Sequence, residues 1–235
     1  MLIRAINLGM TEYGSCWNLQ RHVFNRRLAG EIPDTLLLTE HLPVYTIGRT
    51  GDSNHLLADL PELREKGIAF FSNDRGGDIT YHGPGQLVGY PILDLHDYYL
   101  DLHRYLRDIE SVVIRVLDRF GIRGSRIEGY TGVWVGDEKI CAIGIKSSKW
   151  VTMHGFALNV STDLASFDRI IPCGIFEKGV TSMKELLRET VGVEDVVPEL
   201  LREFAGVFHV EIVPGSINEI CHEGGVACLQ ETRPQ

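Results

Sequence analysis

The sequence predicts a single α+β domain. Strand-like runs come in consecutive groups rather than in regular βαβ alternation, and helical periodicity lies before and after them. No repeat, low-complexity linker or composition shift divides the 235 residues, a length that buries a substantial core without disulfides.

Taken in order, Cys16, Trp17, Val23, Phe24 and Leu28 recur at helical spacing after Thr11, and Gly30 stops the run. "DTLLLTE" (34–40) and "VYTIG" (44–48) read as strands separated by a turn at Pro43. From Leu100 to Phe120 the apolar residues Leu102, Leu106, Ile109, Val113, Val116 and Phe120 mark an amphipathic helix, closed by Gly121. "TGVWVGDEKICAIGIKSS" then gives two β-rich runs joined across Gly136 and Asp137, a hairpin signal. "FALNV" (156–160) is a further strand, and Leu186, Val197, Leu200, Leu201 and Phe204 indicate two C-terminal helices.

A composition of 44% hydrophobic and 23% charged residues is ordinary for a soluble globular protein. The net charge of −9 and pI near 5.5 argue against nucleic acid as a partner. No stretch approaches the roughly 20 apolar residues of a membrane-spanning helix, and Met1 to Met10 lacks a signal-peptide pattern. A cytoplasmic protein with no membrane partner is expected. The cysteines, Cys16, Cys141, Cys173, Cys221 and Cys228, are odd in number, so reduced thiols are expected. Cys221, His222 and Cys228, in a polar tail, lack the paired spacing of structural zinc, and no metal is expected there.

"RGGDITYHGPGQLVGY" (75–90) is the densest glycine run. It lacks the Lys-Ser or Lys-Thr of a phosphate loop and the G-x-G-x-x-G of a dinucleotide fold. Gly76 and Gly77 allow backbone N–H groups to approach a carbonyl or carboxylate, with Arg75 as a nearby charge, while Gly83 and Gly85 hold Pro84 in a tight turn after His82. Local physics leaves two readings open: a hairpin whose His82 is a satisfied core group, or a segment that closes on a ligand.

"IIPCGI" sets Cys173 between a residue that stiffens the backbone and one that leaves it open, a context suited to an exposed thiol with N–H groups nearby. A nucleophilic cysteine needs a cationic or basic neighbour to supply thiolate, and His82, His154, Lys139 and Lys146 are candidates.

Together with these segments, "LPVYTIGR" (42–49), "EKICAIGIK" (138–146), "MHGFALNV" (153–160) and "GVTSM" (179–183) give a chain that resembles the octanoyltransferase family, the lipoyl(octanoyl) transferases of lipoate biosynthesis. The resemblance runs from about residue 2 to about residue 205 with every motif in order, leaving a tail from about residue 206, with its Cys221 and Cys228, as the variable part of a single 1–235 domain. It implies a mixed β-sheet flanked by helices, like the catalytic domains of lipoate-protein and biotin-protein ligases. It further implies transfer of an octanoyl or lipoyl group from the phosphopantetheine thioester of acyl carrier protein, through a cysteine thioester, to a specific lysine of a lipoyl domain. The acceptors would be the lipoyl domains of 2-oxoacid dehydrogenases and the glycine cleavage H protein, and no cofactor is implied.

Carried over residue by residue, the resemblance makes Cys173 the nucleophile and Lys139 its partner, either stabilising the thiolate or acting as base. Substrate would be held by Arg75, Gly76, Gly77, Asp78, Ile79, Thr80, Tyr81 and His82, by Ala142, Ile143 and Gly144, and by Gly155, Phe156 and Ala157. His82 and His154 would orient rather than act as the primary base. Because such a carrier is itself acidic, a local basic patch of Arg49, Lys146, Lys149 and Arg169 is expected near the site. The alternatives are an ATP-dependent lipoate-protein ligase, which needs no cysteine, a cysteine hydrolase, and a non-catalytic acyl- or lipoyl-domain-binding protein on the same scaffold.

Overall fold

The computed structural model describes residues 1–171 and 178–221. It starts with β1 (Leu2–Thr11) and α1 (Tyr13–Leu28), whose first turn is capped by the Glu12 carboxylate accepting from Gly14 N and Ser15 N. Gly30, at φ 72°, lets the chain turn away from α1. Next come β2 (Asp34–His41), β3 (Val44–Ile47), α2 (Leu60–Glu65), β4 (Ala69–Ser72), β5 (Thr80–His82) and β6 (Gln86–Ile92). The expected long helix is α3 (Leu102–Arg119), followed by β7 (Ser125–Ile127), β8 (Tyr130–Val135), β9 (Glu138–Ser148) and β10 (Val151–Asn159). The described C-terminal part holds β11 (Gly179–Val180), α4 (Met183–Leu187), α5 (Val193–Phe208), β12 (Glu211–Pro214) and α6 (Ile217–Ile220).

Among the described residues the strands form two sheets. The large one runs β12-β1-β2-β6-β10-β9-β8-β7 with β11 alongside β9, and the small one runs β4-β3-β5. β1 is parallel to both β12 and β2, whereas the pairings from β2 through β7 are antiparallel, so the large sheet is mixed. β8 and β9 form the expected hairpin, with Gly136 at φ 60° in its turn. The glycine-rich segment is not a hairpin. β5 pairs with β3 in the small sheet and β6 with β2 and β10 in the large one, so the turn at Pro84 carries the chain from one sheet to the other. β5 is only 3 residues long and β6 has 7, and their distant partners assign them to different sheets.

Strand alternation assigns the two faces of the large sheet. Leu36, Leu38, Leu87, Phe156 and Leu158 pack with α3 and α5 through residues such as Ile109, Val113, Leu200 and Phe204. Leu37, Val88, Tyr90 and Ala157 face the other way and pack with Cys16, Leu19 and Val23 of α1. Residues 207–221 are integral to this body. β12 forms the edge beside β1, and Ile220 and Cys221 are buried against the α1 face, so Cys221 is a packed thiol rather than part of a polar tail. No helix among the described residues is long and apolar enough to cross a membrane.

Candidate active site

A cleft of about 480 Å³ lies between the two sheets, within the range of small-molecule sites. The sequence explains the hollow. β9 and β10 pair Ala142 with Ala157 and Gly144 with Gly155, putting four small residues on the α1 face of the sheet. Space there cannot be refilled cheaply: a Cβ at Gly144 would lie 2.7 Å from the Gly76 carbonyl oxygen, and one at Gly155 would lie 2.1 Å from that of Gly89.

Lys139 reaches this cleft through an irregularity in β9. Val133 pairs with Cys141 but the adjacent Trp134 pairs with Lys139, which leaves Ile140 as an extra residue, a bulge. Ile140 and Cys141 consequently both bury on the α3 face, and Lys139 turns onto the face that carries Ala142 and Gly144. Strict alternation would have sent Lys139 into the core with Cys141. Its ammonium nitrogen stands 4.8 Å from the centre of the Trp134 ring, and the side chain is only 7% exposed.

Of the residues singled out in the glycine-rich segment, Arg75, Gly77, Asp78, Thr80 and His82 line the cleft. Ile79 and Tyr81 do not, being buried between the small sheet and Phe167 and Ile170. Nor does Gly76, whose N–H is spent on the Ile145 carbonyl at 2.9 Å and so is not presented to a ligand. Arg75 likewise serves the fold: its guanidinium donates to the carbonyls of Thr46 (2.7 Å), Asp78 (2.7 Å) and Gly76 (3.1 Å) and to Thr46 Oγ1 (3.0 Å). Ala142, Ile143, Gly144, Gly155, Phe156 and Ala157 all line the cleft.

The histidines are held neutral. Gln86 Nε2 donates to the Tyr81 carbonyl (3.1 Å) and Asn159 Oδ1 (2.8 Å), so its Oε1 accepts from His82 Nδ1–H at 2.7 Å. The Nε2 of His82 is then left unprotonated, 3.4 Å from Thr46 Oγ1. Burial, reinforced by the neighbouring His41, pushes the His82 imidazole down to about 3. His154 adopts a left-handed φ of 60° within β10 and donates from Nε2 to Asp74 Oδ1 at 2.8 Å. Burial lowers its basicity, while its hydrogen bond keeps the Asp74 carboxyl well below the usual range. Both histidines are therefore buried, lowered in basicity and fixed in orientation by hydrogen bonds from other segments.

Sequence reasoning did not find Tyr13, His55, Tyr90 and Tyr130, which also line the cleft. Tyr13 stacks on His82 and accepts from Asn73 Nδ2 at 2.6 Å, and the Tyr90 hydroxyl lies 2.6 Å from His41 Nε2. Local sequence carries no signal for them, since each comes from a different element. The residues of the expected basic patch, Arg49, Lys146, Lys149 and Arg169, do not themselves line the cleft, and Lys146 pairs with Asp74 beside the cleft-lining His154.

Cys173 lies outside the described residues, but the residues that flank its segment are placed. Ile171 N donates to the His55 carbonyl at 2.9 Å, and on the other side Lys178 pairs with Asp137, Val180 pairs in register with Lys139, and Thr181 N donates to the Lys139 carbonyl at 3.1 Å. Ile171 and Val180 thus each lie beside a cleft-lining residue, His55 and Lys139 respectively. His222 and Cys228, weighed as metal ligands, also lie outside the described residues.

Residues 12–205 match the family described as Lipoyl protein ligase A/B catalytic domain. An octanoyltransferase of Rubrobacter xylanophilus is 57% identical over 203 residues, covering 84% of this chain and 91% of that protein. One of Gloeobacter violaceus is 50% identical over 217 residues, covering 92% and 94%. Among solved structures, a lipoate-protein ligase A bound with ATP superposes with a TM-score of 0.79 at 17% identity, covering 97% of this chain and 93% of that one. Biotin protein ligase from Aquifex aeolicus in complex with biotin and ATP gives 0.54 at 15% identity, covering 88% and 70%, so the fold is shared with both kinds of ligase.

Proposed function

The chain belongs to the octanoyltransferase family, among the lipoyl protein ligase A/B catalytic domains, and is an acyltransferase of protein lipoylation; from this premise we propose that it takes an octanoyl group from acyl carrier protein onto Cys173 and passes it to a lysine of a lipoyl domain. The observation that carries the proposal is the placement of Lys139 on the cleft face, with its own backbone paired to Val180 and Thr181, a few residues along the chain from Cys173. An ammonium beside that thiol stabilises the attacking thiolate and the thiolate that leaves later. The hollow formed by Ala142, Gly144, Gly155 and Ala157, with Val88 below it, takes the apolar acyl chain. Thioester exchange conserves the energy of the donor bond, so this route needs no ATP, unlike that of a ligase.

The test is intact mass spectrometry after exposure to octanoyl carrier protein without ATP. The wild type gains an octanoyl adduct that a lipoyl domain removes, and Cys173→Ala gains none. If labelling of a lipoyl domain required free octanoate and ATP, the ligase reading would replace this one.

A further inference from the structure

Glu110 of α3 is fully buried, lies outside the cleft, and has three elements converging on its carboxylate. Oε2 accepts from Arg107 Nη1 and from Arg126 Nε, both at 2.7 Å, and Oε1 accepts from Gly132 N at 3.1 Å. Arg126, carried by β7, is tied back to α3 by donating to the Arg107 carbonyl (2.8 Å) and to Ser111 Oγ (2.6 Å). With two guanidiniums on one oxygen, the other is directed at a single backbone group of β8.

A buried ion cluster of this kind is seldom the most stable filling for a core, because apolar side chains of similar volume often do as well or better. What it supplies is geometry. Gly132 has φ 130°, a conformation that favours glycine, and a Cβ there would lie 2.6 Å from the Cys141 carbonyl oxygen and 3.6 Å from Lys139 Cε. Its bare Cα therefore faces the Lys139 stem, and the two residues before it, Tyr130 and Thr131, line the cleft. Gly132 also stands immediately before the irregular register in which Val133 pairs with Cys141 and Trp134 with Lys139. Holding its N–H holds the strand where the bulge turns Lys139 onto the cleft face.

Resting on the role given to Lys139 above, we propose that Glu110 is a positioning residue for that lysine. The carboxylate, held by Arg107 and Arg126, anchors Gly132 and so sets where the Lys139 ammonium stands over the Trp134 ring. Glu110 itself touches no substrate and takes part in no bond change. Without it the start of β8 shifts, the Lys139 stem follows, and the ammonium leaves the ring face. Misplacement of a working group by about 1 Å lowers rates by up to ~10²-fold.

The experiment reads the ring current of Trp134, which moves the Cε protons of a lysine held over its face upfield. In the full chain carrying isotope-labelled lysine, the Lys139 resonance is identified by its loss in Lys139→Met. Glu110→Ala is compared with Val113→Ala, which opens a cavity under the same helix but removes no bond to Gly132. In Glu110→Ala the resonance is expected to move towards that of a solvated lysine, and kcat to fall by on the order of 10- to 10²-fold where the chain stays folded. Val113→Ala should keep both at their wild-type values despite its lower thermal midpoint. Should Glu110→Ala fail to fold, Glu110→Gln, which keeps the volume and weakens the clamp, is expected to give a smaller shift in the same direction. A Glu110 variant whose resonance stays in place, or moves no further than that of Val113→Ala, would reduce the cluster to core packing and overturn the proposal. A wild type that transfers no acyl group would instead remove the role of Lys139, and the resonance comparison would still decide whether Glu110 places it.

Discussion

His82 and His41, ring centres 5.8 Å apart, are held neutral by burial, His82 at about 3 and His41 at about 4. In the unfolded chain both bind protons near the ordinary value of about 6.5, so their contribution to stability is present above that pH and is lost as pH falls towards their folded values. Between pH 6 and 4 the free energy of unfolding should therefore drop by about 1.4 kcal/mol per pH unit for each imidazole, measured by urea denaturation, and His82→Gln should remove about one proton from that slope. Lys139 makes a different demand. Lys139→Met keeps an apolar stem against Trp134 and should leave the thermal midpoint nearly unchanged while kcat falls by on the order of 10²-fold; a parallel loss of stability would make it a packing residue. The polar chemistry of these side chains could be anticipated from residue type. Their states could not, because burial and the partners, Gln86 for His82 and Tyr90 for His41, come from other parts of the chain.

At the scale of elements, Leu102 to Arg119 and the β8–β9 hairpin were legible because each is written in local periodicity and turn chemistry. The bulge at Ile140 was not: it follows from pairing with β8, and a pattern of alternating residues gives no warning of it. The same holds for β5 and β6, adjacent in sequence and parted between sheets. Contacts across that gap are tight enough to predict consequences. Gly144→Ala drives a methyl against the Gly76 carbonyl and should cost about 1–3 kcal/mol and displace the segment behind Arg75, lowering transfer. Gly30→Ala, at φ 72° with open space around it, should cost about 1 kcal/mol of backbone strain and leave transfer intact. Paired denaturation curves and rates check both; equal effects on activity would show that the contact at Gly144 is not what shapes the cleft.

For the whole molecule, resemblance supplied the cleft residues that composition could not, yet it left the stretch after 206 unread. Residues 207–221 of that stretch complete the large sheet and seal the α1 face with Ile220 and Cys221. A chain ending at Phe208 should be less stable than one ending at Cys221 by at least about 3 kcal/mol, from the loss of those two side chains from the core. An unchanged denaturation midpoint would return the segment to the status of an appendage. The pairing of Leu2 with Glu211 also has a consequence for synthesis. On a ribosome adding about 5–20 residues per second, one flank of the first strand waits roughly 10 to 40 s for its partner to emerge. Through that interval β1 presents an open hydrogen-bonding edge to the cell, which makes the nascent chain, rather than the finished enzyme, the species most in need of a chaperone.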